Sequence, residues 1–188
     1  MSLCLRAVAL VEGESDRVAL LTLAGRRGRN LDDEGVEVVA MGGVTNTRAY
    51  ATRYGPRGLG VAVAGLYDAP DEAKVRHGLA AAGLPAAVGD LAAMGFFACR
   101  EDLEDELIRA LGVAGVEAVI DAAGETPSLE LLAGMPVQRG WPREAVLRRF
   151  LGVRSGRKAR YAALLVEAVP PDRVPEPLAA VLDFLAPS

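Results

Sequence analysis

A chain of 188 residues with 51% hydrophobic content has enough material for one ordinary domain with a real core, which excludes a disordered chain. Its formal net charge of −4 excludes a general attraction to nucleic acid, so any such contact must rest on local patches. The apolar run at the N-terminus falls far short of the roughly 20 residues of a membrane span and has no small-residue cleavage site. It reads as a first strand. Cys4 and Cys99 lack CxxC spacing, which argues against a zinc site or a disulfide framework and fits buried thiols in a cytoplasmic protein.

Taken in chain order, Leu3–Val11 is apolar and suits a buried strand. Ser15 offers an N-cap for a helix ending near Gly28, and Val36–Met41 is a second strand stopped by Gly42-Gly43. Thr45 or Asn46 can cap a second helix through Tyr54. Leu59–Leu66 is a third strand, Pro70 suits the first turn of the helix that follows, and Gly95–Cys99 is a short fourth strand. Asp102–Leu111 is a patterned helix ended by Gly112. Beyond it the chain reads as helices only: 113–123, 128–133, 143–151, 156–168 and 176–185. The alternation predicts an α/β fold, a parallel sheet of about four strands flanked by helices, over residues 1–112. Residues 113–188 then form a helical C-terminal extension packed on that core.

Open parallel sheets bind ligands beyond the carboxyl ends of their strands. Three of the four strands run there into acids: Glu12-Gly13-Glu14-Ser15-Asp16, Asp68-Ala69-Pro70-Asp71-Glu72 and Glu101-Asp102-Leu103-Glu104-Asp105-Glu106. Acids in a first helical turn are also favoured by the helix dipole, and Asp or Ser commonly caps. Three such clusters on one edge, with Glu12 at the strand exit itself, point instead to carboxylates converging on a cation. Mg²⁺ or Mn²⁺ suits hard oxygen ligands, and two ions can serve phosphodiester cleavage.

These residues resemble a known pattern. Val11-Glu12-Gly13-Glu14-Ser15-Asp16 after an apolar strand, with Asp68 after another, resembles the Toprim domain, and most closely its OLD-type (overcoming lysogenization defect) branch. The resemblance implies a Rossmannoid Toprim sheet and one or two Mg²⁺ or Mn²⁺ ions held by Glu12, Asp16, Asp68, Asp102 and Glu104. It further implies nuclease chemistry on DNA, RNA being the lesser alternative, with Glu12 and Lys158 of Ser155-Gly156-Arg157-Lys158 in catalytic roles. Asp68 is followed by Ala69 and Pro70, so the usual Asp-x-Asp is incomplete; Asp71 or Glu72 is the available substitute. OLD proteins usually carry an ATPase domain. This sequence has no G-x-x-x-x-G-K-[ST], so an ATPase partner would act in trans.

Between Arg139 and Arg160 the sequence holds Arg143, Arg148, Arg149, Arg154, Arg157 and Lys158, against the single acid Glu144. Arg154, Arg157 and Arg160 are the candidates for binding substrate phosphates. The same arginines could equally form a solvated face or pair with the 101–106 acids. Lys158 and Lys74 are the only lysines in an Arg-rich chain, so Lys158 reads as a compact ammonium kept for charge stabilisation. Gly42-Gly43 could present N–H groups to a phosphate or form an ordinary turn. Other readings remain beside the nuclease: a degenerate Toprim module that binds nucleic acid or a partner protein, or another Mg²⁺-dependent phosphotransfer enzyme, such as a phosphoacceptor domain using Asp68.

Overall fold

The computed structural model describes residues 5–86, 88–152 and 156–187. Leu3, Cys4, Arg154 and Ser155, named above, lie outside the described residues. The elements run β1 (Ala7–Val11), α1 (Glu14–Arg26), β2 (Val36–Ala40), α2 (Thr47–Tyr54), β3 (Ala62–Asp68), α3 (Glu72–Ala81), β4 (Phe96–Cys99), α4 (Leu103–Ala122), α5 (Thr126–Ala133), α6 (Arg143–Gly152), α7 (Arg157–Ala168) and α8 (Glu176–Phe184). The four strands form one parallel sheet in the order β2-β1-β3-β4. The chain first moves outward from β1 to β2, then returns past β1 to β3. That reversal places a topological switch point between β1 and β3, where such sheets bind ligands.

Burial on both faces explains the near-continuous apolar strands. In β1, Ala7, Ala9 and Val11 point to one side and join a cluster with Leu20, Leu23, Leu107, Ile120, Phe150 and Tyr161. Val8 and Leu10 point to the other and pack with Tyr54, Val63, Val75 and Leu79 from α2, β3 and α3. The helices after residue 112 share the first of these cores: α7 lies along α1, and α8 lies against β3 and β4. Gly112 breaks α4 with φ 70° and ψ 165°, a left-handed excursion that favours glycine. Gly65 lets β1 and β3 approach closely, since a Cβ there would sit 2.2 Å from the carbonyl oxygen of Leu10.

Two local expectations are corrected. The third strand spans Ala62–Asp68, not Leu59–Leu66: Leu59 is exposed ahead of a Gly60 turn at φ 67°, and pairing with β4 carries the strand through to Asp68 opposite Cys99. The N-cap of α1 is Gly13, not Ser15, which is buried within the first turn. Pro70 lies in a short 3-10 turn, Ala69–Asp71, that delivers the chain into α3. Among the described residues no helix is long and apolar enough to cross a membrane.

Candidate metal centre

The strand ends dictate where the acids stand. Glu12 is the first residue past β1 and Asp68 the last residue of β3, so the switch point sets them beside each other on the carboxyl edge. Asp16 is the third residue of α1, and its Oδ2 accepts a 2.8 Å hydrogen bond from the Gly13 N–H. This is the reaching-back half of a capping box, so the helix start fixes the carboxylate over the strand end. Asp102 and Glu104 begin α4 immediately beyond β4. These five acids and Lys158 line one cleft of about 480 Å³, together with Gly13, Ser15, Gly156 and Ala159. The five acids to which the resemblance gave a metal role therefore border the same cavity.

Crowded carboxylates with too little counter-charge hold their protons. Asp68 is pushed up to about 7, first by burial and then by the charges of Glu12, Asp16, Asp102 and Glu104. Asp16 is pushed up to about 6 by burial, with the Gly13 hydrogen bond pulling the other way and Glu104 adding repulsion. For Lys158 burial works against its charge, but Glu104, Asp102 and Asp16 outweigh it and raise the ammonium above its ordinary value.

The acids fall into two groups by what they already hold. Asp102 is engaged on both oxygens: Oδ1 caps α4 by accepting from the Asp105 N–H at 2.8 Å, and Oδ2 accepts from Arg148 Nε and Nη2 at 3.0 and 2.5 Å. Glu104 is buried, and its Oε2 meets Lys158 Nζ at 3.0 Å. Glu12 and Asp68, by contrast, make no side-chain hydrogen bond or ion pair among the described residues, and Asp16 has one oxygen free. Among the described residues no three His, Cys, Asp or Glu side chains are already drawn together as a cation's ligand set. The donors nonetheless fit a divalent cation. They are hard carboxylate oxygens, Asp68 is raised by burial and by the four carboxylates around it, and the cleft leaves room for the waters Mg²⁺ retains.

Neither Asp71 nor Glu72 replaces the missing second acid of β3. Asp71 pairs with Lys74 and Glu72 with Arg76 along α3, and neither lines the cleft. The arginine expectations divide as well. Arg157 is buried; its guanidinium donates to the Phe150 carbonyl and to Glu125, and stacks 4.1 Å from the Phe150 ring centroid. It is a packing residue, which departs from the substrate-binding expectation. Arg160 also reaches Glu125, at 2.5 Å, while remaining exposed. Gly42 and Gly43, at φ 72° and 123°, both donate their N–H to the Glu12 carbonyl at 3.0 Å. Those groups anchor the strand exit and are not available to a phosphate. Arg148 on Asp102, 46 residues apart, is the pairing of the basic segment with the 101–106 acids that the sequence left open as an alternative.

Lys158 sits in the first turn of α7, behind a left-handed Gly156 at φ 77°. A cation there opposes the helix dipole, and Glu104 offsets that cost. Helix geometry leaves the first amides of α7 without intrahelical partners, and Gly156, Lys158 and Ala159 line the cleft, a position suited to an anion.

Residues 5–69 match the family model described as the Overcoming lysogenization defect protein-like TOPRIM domain. That span includes Glu12, Asp16 and Asp68. The whole chain is similar in fold to the C-terminal region of the Burkholderia pseudomallei OLD protein, with TM-score 0.68, 22% identity, and coverage of 97% of this chain and 98% of that one. It is likewise similar to the C-terminal region of the Xanthomonas campestris pv. campestris OLD protein, with TM-score 0.67, 25% identity, and coverage of 96% and 94%. No curated protein matches.

Proposed function

We propose that this chain is a Mg²⁺- or Mn²⁺-dependent Toprim nuclease that cleaves or nicks DNA phosphodiester bonds. The observation that carries the reading is the convergence of Glu12, Asp16, Asp68, Asp102, Glu104 and Lys158 on one cleft at the switch point of the sheet. Glu12, Asp16 and Asp68 would hold the cation. When bound, it would polarise the phosphoryl oxygen and lower the pKa of a water.

The remaining roles fall to side chains whose surroundings are defined. Glu12, free of partners, is placed to take a proton from an attacking water at its carboxylate. Lys158 Nζ, half-exposed, faces the cleft with protons to donate to charge developing on phosphate oxygens. The open amides at the start of α7 would orient the phosphate from the same side. Arg148 keeps Asp102 aimed and occupied. An ATPase supplied in trans is part of this proposal, and the match of residues 5–69 to the OLD-like Toprim model is its support.

The test is nicking of supercoiled plasmid with Mn²⁺ or Mg²⁺. Cleavage should appear with metal, vanish with chelator, and be lost in Glu12→Ala and Asp68→Ala. Cleavage that survives both substitutions sinks the proposal. A second reading, a Toprim module that binds nucleic acid without cutting, is favoured by the two arginine- and lysine-held acids and the incomplete Asp-x-Asp. It expects metal-dependent stabilisation without nicking.

A further inference from the structure

We propose that the groove between α2 and α3 is a docking track for the backbone phosphates of duplex DNA, guiding the flank of the cut strand away from the acid cleft. This rests on the nuclease reading above. The groove, of about 440 Å³, is lined by Thr45, Thr47, Arg48, Lys74, His77 and Gly78 with two small apolar residues, and no acid lines it. Its position follows from the fold. One wall, 44–48, continues directly from the Gly42-Gly43 turn that clasps the Glu12 carbonyl. The other, 73–78, follows Asp68 through the Ala69–Asp71 turn. The two strand ends that carry the cleft thus also carry the groove, and Lys74 feels the charge of Glu12.

The floor is rigid. Gly78 lets α3 sit against Thr47, where a Cβ would fall 2.9 Å from the Thr47 Cβ, and the Thr47 hydroxyl is spent on the Val44 carbonyl. What faces solvent is Arg48, the Thr45 hydroxyl, His77 and Lys74. Arg48 and His77 have no side-chain partner among the described residues. Lys74 holds Asp71 at 2.5 Å; the ammonium is exposed while Asp71 is half-buried, so a phosphate from solvent competes for the ammonium's remaining N–H donors. A protein with net charge −4 and an acidic cleft needs a local cationic surface to hold a polyanion across that cleft. This groove is such a surface, and it holds Lys74, the chain's other lysine.

The experiment is fluorescence anisotropy of a labelled short DNA duplex over a salt series, with Ca²⁺ in place of Mg²⁺ to prevent cutting. Arg48→Ala/Lys74→Ala is expected to weaken binding about tenfold and to make the log Kd against log salt slope shallower by about two. Arg48→Lys/Lys74→Arg should restore both. An Arg27→Ala/Arg173→Ala control, equal in charge loss but remote from the groove, should bind like the parent protein. Parent-like affinity and slope for Arg48→Ala/Lys74→Ala, or an equal loss in the control, would overturn the groove and leave the nuclease reading standing. Failure of the parent protein to bind duplex DNA at all would overturn both.

Discussion

Lys158 Nζ lies 3.0 Å from Glu104 Oε2, joining the first turn of α7 to the first turn of α4 across the cleft. The pair neutralises the buried Glu104, and it does so with an ammonium that remains half-exposed. Lys158→Met should therefore separate two properties. Cleavage should fall by about a hundredfold or more, the scale for losing a group that stabilises transition-state charge. Mn²⁺-induced thermal stabilisation should persist, because Glu12, Asp16 and Asp68 are untouched. Loss of the thermal shift along with cleavage would show that Lys158 is structural.

Asp16 and Asp68 make the metal-free protein less stable as the pH rises. Both carboxyls hold their protons in the folded state to about 6 and about 7, above where an unfolded aspartate has released its own. In that window the folded state binds more protons than the unfolded one, so unfolding free energy declines with increasing pH. With chelator present, the thermal midpoint should fall between about pH 5 and pH 8, and Asp68→Asn should flatten the decline. Mn²⁺ should reverse it, since a cation favours the ionised carboxylates. Glu34, held below the usual range by its hydrogen bond from Arg29, works in the opposite sense but at lower pH, outside this window. An Asp68→Asn profile that still falls as steeply would remove the cleft as the cause.

Arg157 tests the division of the basic segment. Its guanidinium bridges the Phe150 carbonyl and Glu125 from a buried position. Arg157→Ala should cost roughly 2–4 kcal/mol by leaving that pair broken and a gap over the Phe150 ring. The salt slope of DNA binding, measured in Ca²⁺, should be unchanged. A slope shallower by about one with little loss of stability would return Arg157 to the phosphate-binding role its sequence position suggests.

The acids were legible because two regular rules act on them: strands in a parallel sheet end on one edge, and first helical turns collect carboxylates. Glu12, Asp16, Asp68, Asp102 and Glu104 all follow those rules, and each lines the cleft. The cationic side was less legible. Whether Arg148, Arg157 or Lys158 faces a carboxylate or a substrate depends on how α6 and α7 dock against α1 and α4, and no local pattern encodes that docking. Ser15 misled as a cap because Gly13, one residue past the strand exit, already holds the extended backbone that the cap position requires. The α2–α3 groove escaped notice for a similar reason: Arg48, Lys74 and His77 are unremarkable apart, and only the parallel crossover sets them together.

Gly65 offers a test of the sheet register that brings Glu12 and Asp68 together. A Cβ at this position would meet the Leu10 carbonyl oxygen at 2.2 Å and the Phe96 ring at 3.1 Å. Backbone cannot yield as a long side chain can, so β3 must shift away from β1 or the alanine must be expelled. Gly65→Ala is expected to destabilise the fold by about 3 kcal/mol, the upper range for overpacking. The displaced strand carries Asp68 three residues later, so Mn²⁺-induced stabilisation should also weaken in the folded fraction. Gly60→Ala, which meets no atom within 4 Å but stands at φ 67°, should cost only about 1–2 kcal/mol of backbone strain and leave the metal response intact. Chemical denaturation with and without Mn²⁺ reads both quantities, and equal metal responses in the two variants would show that the β1–β3 register does not set the site.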